Sequence, residues 1–167
     1  MTDFAIEALR PHHDLAGFSC GVPALDFWLK TRALRDEATG DSRAFMLLID
    51  GRVAGYYALA TASAARITLT SALRRNAPDP VPLILLGQLA VDTRDHGTGM
   101  GRRLLGDACW RALEISRQAG FRALAAHPIS DAAERFYARF GFVTIPDSTP
   151  RLMVLSLAHL AAASRAV

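Results

Sequence analysis

Apolar positions along this chain change their spacing several times, and each change marks a different element. The run FAIEAL at 4–9 is short and apolar enough for a strand. After FSCG, residues Leu25, Trp28, Leu29, Ala33 and Leu34 fall at helical spacing and predict one or two amphipathic helices. RAFMLLI at 43–49 and RVAGYYALATA at 52–62 flank Asp50-Gly51, a dipeptide that readily takes the positive backbone angles of a two-residue hairpin turn. Residues 63–82 read as a long connector ending in NAPDPVP, because prolines on alternate positions continue neither a helix nor a central strand. LILLGQLAV, residues 83–91, is the next strand.

DTRDHGTGMGRRLLGDACWRALEISRQAG follows, a glycine-rich turn entering a long helix with Leu104, Leu105, Ala108, Ala112 and Ile115 on one face and Gly120 as its stop. FRALAAH predicts a further strand. Asp131-Ala132-Ala133-Glu134 has the D-x-x-E form of an N-terminal cap for a helix that carries Phe136, Tyr137 and Phe140 and closes at Gly141. FVTI and RLMVLSL complete the pattern as a last strand or hairpin. Strands and helices so interleaved, with no internal repeat or low-complexity tract, predict one α/β domain over residues 1–167 with a mixed sheet.

A chain of 167 residues with 51% apolar and 21% charged residues can bury a core and cover it, which excludes disorder. The best apolar stretches, AFMLLI at 44–49 and LMVLSLAHLAAA at 152–163, are too short or are broken by Ser156 and His159, so no membrane span is expected. The N-terminus lacks the cationic start, apolar core and cleavage site of a signal peptide, and the expected location is the cytoplasm. Cys20 and Cys109 lie far apart, without a C-x-x-C pattern, and the histidines are scattered; buried thiols are expected, with neither a disulfide framework nor a metal cage. The formal charge of +3 is carried by arginines with Lys30 as the sole lysine, a modest excess that suits an anionic partner without identifying one.

The most informative segment is the loop His96-Gly97-Thr98-Gly99-Met100-Gly101-Arg102 between a buried strand and a helix. Its glycines let the backbone approach an anion, and the unpaired N–H groups of the loop and first helical turn point at it, aided by the positive end of the helix dipole. A phosphate or pyrophosphate fits there. The segment has no G-K-[ST], as a nucleoside triphosphatase would, and G-x-G-x-G late in the chain is not the G-x-G-x-x-G that opens a dinucleotide fold.

LAVDTRDHGTGMGRRLL followed by DAAERFYARFGF resembles the GNAT acetyltransferase family, whose signature is a strand, [QR]-x-x-G-x-[GA] and a helix, then a later helix ending in Tyr and Gly-Phe. His96 stands at the [QR] position. The resemblance implies a GNAT-type domain with a mixed, mostly antiparallel central sheet flanked by helices, and acetyl-coenzyme A as acetyl donor without a metal. It implies that the pantetheine arm pairs with the backbone of Leu89, Ala90 and Val91. The pyrophosphate falls to Gly97, Thr98, Gly99, Met100, Gly101 and Arg102, and Asp131 stands where the family often has Asn. It places Tyr137 near the coenzyme sulfur, where a phenol, protonated at neutral pH, can donate to the departing thiolate. On spacing alone the stripe Ala133, Phe136, Tyr137 and Phe140 suits a core tyrosine equally well.

LILLGQLAV has no carboxylate, and Gln88 is its only polar side chain. An acceptor that needs little help losing its proton fits: an α-amine near 7.7–8.0 against a lysine near 10.4 saves roughly 3.4 kcal/mol. His127 or a water remains open as the base. F-x-C-G at 18–21, L-D-x-W-L at 25–29 and N-x-P-D-P-x-P at 76–82, taken in order, extend the resemblance over nearly the whole chain to the acetyltransferase toxins of bacterial toxin–antitoxin pairs, which acetylate aminoacyl-tRNA. Singly, Leu25, Trp28 and Leu29 read as helix core and the prolines as loop-shaping. The resemblance implies aminoacyl-tRNA as acceptor, a ribbon-helix-helix antitoxin as partner, and a homodimer. Lys30, Arg32, Arg43, Arg74 and Arg75 are then the candidates for phosphate contact, with Arg35 set lower because Asp36 and Glu37 adjoin it. No aromatic ladder for stacked bases is evident, so recognition rests on shape and on the terminal amino acid. The alternatives are an acetyltransferase of a small amine or a protein N-terminus, and a non-catalytic coenzyme-binding module.

Overall fold

The computed structural model describes residues 1–165. The Asp50-Gly51 turn forms as expected, with φ of 48° and 81°, and joins β2 (Arg43–Ile49) to β3 (Arg52–Ala64) as an antiparallel hairpin registered from Ile49↔Arg52 to Arg43↔Leu59. β1 (Phe4–Ala8) lies antiparallel on the other edge of β2. Between β1 and β2 come α1 (Pro23–Thr31) and α2 (Ala33–Thr39). The later elements are α3 (Ser71–Arg74), β4 (Val81–Val91), α4 (Met100–Ser116), β5 (Ala123–Ala126), α5 (Asp131–Ala138), β6 (Val143–Thr144), β7 (Met153–Ser156) and α6 (Leu157–Arg165). The strands form one mixed sheet of seven in the order β1-β2-β3-β4-β5-β7-β6, in which β4 and β5 are parallel while β5–β7 and β6–β7 are antiparallel. This is the expected α/β class.

The chain divides into two compact units, Met1–Ala60 with Gly87–Asp107, and Thr61–Leu86 with Ala108 onward. In the first, every residue of β3 from Val53 to Leu59 is buried, the pattern of a strand covered on both faces. Tyr56 organises this core. Its ring meets Phe18 edge-on at 5.7 Å and stacks on Trp28 at 5.8 Å, and its hydroxyl donates to the Leu25 carbonyl at 2.7 Å. Asp26 accepts the Cys20 N–H at 2.9 Å. The F-x-C-G and L-D-x-W-L motifs thus pack α1 onto β3, and Leu29, 1% exposed, is core as expected. Leu34, by contrast, is exposed.

In the second unit, β4 pairs with β5 from Leu83↔Ala123 to Leu86↔Ala126, and β5 is buried throughout. Leu69, Leu73, Ala77, Val81, Ile145 and Val154 share one apolar cluster with β5. Four expectations are corrected here. The connector is not irregular: β3 runs to Ala64, a 3-10 turn covers Arg66–Thr68, and α3 follows. β4 begins at Val81, so Pro82 lies inside it, near the strand start where a missing N–H is tolerated; the Pro82 carbonyl accepts Arg122 N–H at 2.9 Å. α4 ends at Ser116 because the amides of Gln118 and Ala119 both turn to the Ile115 carbonyl, and Gly120 takes no positive φ. The cap of α5 is Ser130, whose hydroxyl accepts the Ala133 N–H at 3.1 Å, and Asp131 is the first helical residue. Gly141, with φ of 96°, closes the turn after α5 as expected. α6, which buries Leu160 and Ala163, is an element the apolar pattern did not separate from the preceding strand.

Gly55 is where β3 tolerates no side chain. A Cβ there lies 2.9 Å from the Ala90 carbonyl oxygen and 2.9 Å from Leu104 Cδ1. Gly55→Ala therefore overpacks the junction of β3, β4 and α4, and should lower unfolding free energy by about 2 kcal/mol. Urea denaturation checks this, and an unchanged midpoint would contradict the packing.

Candidate functional site

The glycine-rich loop owes its shape to two positive φ angles, 75° at Gly97 and 87° at Gly99, which only glycine adopts without strain. Entering α4 in this way turns the backbone amides outward. Among the described residues the N–H groups of Gly97, Thr98, Gly99, Met100 and Gly101 donate to no carbonyl, and the first backbone bond of the helix is Arg103 N–H to the Gly99 oxygen at 3.2 Å. The loop thus presents a row of unengaged donors at the positive end of a long helix, the kind of donor set an anion cradle requires. A pyrophosphate fits that donor set.

Two ion pairs that sequence reading did not identify hold the loop. Asp92, 1% exposed, accepts the Arg94 amide and Nε on Oδ1, both at 2.9 Å, and Arg94 Nη2 at 2.9 Å and the Ser19 amide at 3.2 Å on Oδ2. Hydrogen bonding from Arg94 keeps its carboxyl below the usual carboxylate range. Asp95 takes Arg52 in a bidentate pair at 2.9 and 3.0 Å, and its carbonyl accepts the Thr98 hydroxyl at 2.5 Å. The signal was the acid-base alternation D-T-R-D after the strand, legible as charge but not as pairing.

Leu89, Ala90 and Val91 lie on β4 beyond the last residue paired with β5. Ala90 is buried, whereas Leu89 and Val91 are half-buried. The His96 ring donates from Nε2 to the Val91 carbonyl at 2.7 Å. One of the strand acceptors expected for pantetheine is therefore already engaged by the residue that departs from the family pattern.

All three tyrosines of the chain are buried, but they differ in what their hydroxyls do. Tyr56 donates to Leu25, and Tyr57 donates to Asp107 at 2.5 Å. Among the described residues the Tyr137 hydroxyl has no hydrogen-bond partner. Its ring is fixed between Phe136 at 5.4 Å and Phe142 at 5.2 Å, and burial raises its pKa. Fixed in place, protonated and unengaged, it has the attributes of a proton donor. Asp131, on the same helix, is exposed and pairs with Arg151 at 3.0 Å, and Arg151 also holds Glu134. His127 donates from Nδ1 to the Arg151 carbonyl at 2.9 Å, which leaves Nε2 as a free acceptor. The loop and Leu89–Val91 belong to the first unit, Asp131 and Tyr137 to the second.

The candidate cations separate by partner. Arg43 is held by the Glu37 carboxylate and carbonyl, both at 2.8 Å, so its charge is spent within the fold. Arg35 is more loosely placed, 3.6 Å from Asp36. Lys30, Arg32, Arg74 and Arg75 are exposed, and their side-chain cations have no hydrogen-bonding partner among the described residues. Both cysteines are buried free thiols, as expected. Glu7, His12 and His13 bring ligand-type atoms within 4.8 Å of one another. His13 Nδ1 accepts the Arg10 amide at 2.9 Å, which leaves the ring proton on Nε2, donating to Glu7 at 2.7 Å. That arrangement braces the end of β1.

Comparison with known proteins adds the family. A family profile described as "Acetyltransferase (GNAT) domain" matches residues 40–144. The chain is 44% identical over 142 residues to the "tRNA-acetylating toxin" of Mycobacterium tuberculosis (strain ATCC 25618 / H37Rv), covering 85% of this chain and 86% of that protein. Among solved structures, AtaT complexed with acetyl-methionyl-tRNAfMet superposes with a TM-score of 0.87 at 26% identity, covering 96% of this chain and 98% of the other. A mutant AtaT toxin bound to acetyl-CoA and the C-terminus of the antitoxin AtaR gives a TM-score of 0.82 at 25% identity, covering 96% and 97%.

Asp92 carries a pH signature. Its carboxyl is depressed in the folded chain and near 3.9 when unfolded, so its ionised form stabilises the fold above about pH 4, and the contribution fades as pH falls further. The stability gap between the parent and Asp92→Asn should be full at pH 7 and narrow steadily below about pH 4. Denaturant midpoints at each pH test this; a gap that widened on acidification would contradict the assignment.

Proposed function

Because the chain belongs to the GNAT acetyltransferase family, we propose that it transfers acetyl from acetyl-coenzyme A to the α-amine of an aminoacyl-tRNA and thereby stops translation. Residues 1–167 serve as one catalytic domain. The donor half of this reading is carried by the row of outward amides from Gly97 to Gly101. The acceptor half is supported by the 44% identity to a tRNA-acetylating toxin.

In this assignment the amides of Gly97 to Gly101, with Arg102, hold the pyrophosphate, and Leu89, Ala90 and Val91 align the pantetheine arm through the backbone groups that His96 leaves available. Asp131 has a lesser role as a coenzyme hydrogen-bond contact. A β4 amide among Leu89–Val91 polarises the thioester carbonyl. The amine nitrogen attacks that carbon, the C–S bond breaks, and the Tyr137 hydroxyl gives its proton to the sulfur. The acceptor ammonium loses one proton to solvent before attack; after attack the nitrogen loses a second, to solvent or to His127 Nε2, and an equivalent proton returns to Tyr137, so protons balance over the cycle. An α-amine esterified at its neighbouring carboxyl is acidic enough for this without a carboxylate base. Lys30, Arg32, Arg74 and Arg75 contact RNA phosphates, and Arg43, already paired with Glu37, contributes less. A ribbon-helix-helix antitoxin neutralises the enzyme, which acts as a homodimer in the cytoplasm. Among the described residues no helix is long and apolar enough to cross a membrane.

Radiolabelled acetyl should pass from acetyl-coenzyme A to charged tRNA and not to uncharged tRNA or free amino acids. Label on free amines instead would overturn the acceptor assignment and leave the family standing. Tyr137→Phe should keep acetyl-coenzyme A binding by calorimetry and lose turnover roughly a hundredfold or more. Turnover equal to the parent's would remove Tyr137 from the mechanism.

A further inference from the structure

The N-x-P-D-P-x-P motif has no part in the chemistry above, yet it builds one wall of a cavity. That cavity, about 510 Å³, is lined by Arg66, Ile67, Arg74 and Asp79. Leu69, Leu73, Ala77 and Val81 anchor the segment from beneath in the apolar cluster of the second unit. Above them the motif folds back on Arg66: Asp79 Oδ1 accepts the Arg66 amide at 3.0 Å, and the Ala77 carbonyl accepts Arg66 Nη1 at 3.2 Å. The Asn76 carbonyl accepts Arg122 Nη2 at 3.0 Å and closes the base of the loop. Pro78 and Pro80 carry no amide hydrogen and so cannot themselves donate to these acceptors.

The lining has a definite chemistry. Two guanidiniums against one carboxylate leave a single net positive charge, matched to a phosphodiester rather than to a polyphosphate. The Arg74 guanidinium makes no hydrogen bond among the described residues, and the Arg66 guanidinium is tethered through one nitrogen and keeps its other donors. The second oxygen of Asp79 has no partner among the described residues and accepts a hydroxyl. Ile67, 83% exposed, presents an apolar face at the rim. The volume lies within the roughly 300–1,000 Å³ of small-ligand pockets. A concavity of this kind admits a nucleotide splayed out of a single strand, not the rigid backbone of a duplex.

We propose that this cavity holds one ribonucleotide of the single-stranded end of the charged tRNA, with its phosphodiester on Arg66 and Arg74, its ribose 2′-hydroxyl on Asp79 and its base against Ile67. The proposal rests on the aminoacyl-tRNA reading above and adds Arg66, Ile67 and Asp79 to the substrate contacts. The decisive variant is Arg74→Gln, since that side chain braces nothing in the fold; Arg66→Gln supports it, and Arg117→Gln, at the end of α4 and paired with Glu114, controls for loss of one surface charge.

Initial rates are measured with charged tRNA and with the methyl ester of the same amino acid, which has no phosphate. Losing one charge-assisted hydrogen bond should raise KM for charged tRNA roughly tenfold in Arg74→Gln, with kcat held and a shallower salt dependence. The loss should be confined to the phosphorylated substrate, and Arg117→Gln should match the parent. Equal losses on tRNA and ester, or a KM for tRNA equal to the parent's, would overturn the subsite while the acetyltransferase reading stands. A parent chain that fails to acetylate charged tRNA at all would overturn both.

Discussion

A carboxylate withdrawn from water must find its counter-charge within the fold, and the arrangement of the glycine-rich loop follows from how Asp92 does so. It stands between the end of β4 and the glycine-rich loop, and among the described residues it is the one buried charged side chain. Satisfying it ties Arg94 back over the strand end and pins the chain at Ser19, whose carbonyl in turn accepts the Thr93 amide at 2.8 Å. The loop leaves this knot in a fixed direction, and Asp95 holds it a second time through Arg52 on β3. Two bare acids beside the loop would repel an anion. Paired with their arginines they are neutral on balance, so the field at the loop is set by its amides and the helix end.

Elements whose shape depends on neighbours in sequence were legible. The hairpin at Asp50-Gly51, the loop at 96–102 and the stop at Gly141 each follow from residues that alone permit the local backbone angles. Errors arose where two local signals competed. Ser130 and Asp131 can both cap a helix, and only the bond to Ala133 decides between them. The mostly apolar run at 152–163 holds a strand and a helix in succession, and so short a stretch of each shows no period with which to separate them.

What sequence could not supply is pairing across the fold. Arg35 sits beside two acids in the chain and Arg43 beside none, yet it is Arg43 whose charge is bound, because α2 delivers Glu37 to it. The same limit applies to the tyrosines. Spacing left Tyr137 as plausible in a core as at a reacting centre. Its hydroxyl is distinguished only because those of Tyr56 and Tyr57 are occupied by groups 31 and 50 residues away. The proline-rich motif is a third case: its order was specific enough to suggest kinship, but its closure onto Arg66 is visible only in three dimensions.

The two cysteines bear on how the molecule can be handled. Cys20 and Cys109 lie in the core, where burial pushes their thiols up to about 11 and about 12. Oxidants and alkylating reagents attack the thiolate, and at neutral pH neither residue supplies one. Buried and protonated, both thiols are poor targets for oxidation at neutral pH. For the same reason a maleimide dye or spin label attached to a single introduced surface cysteine would report on that position alone, in the otherwise native chain.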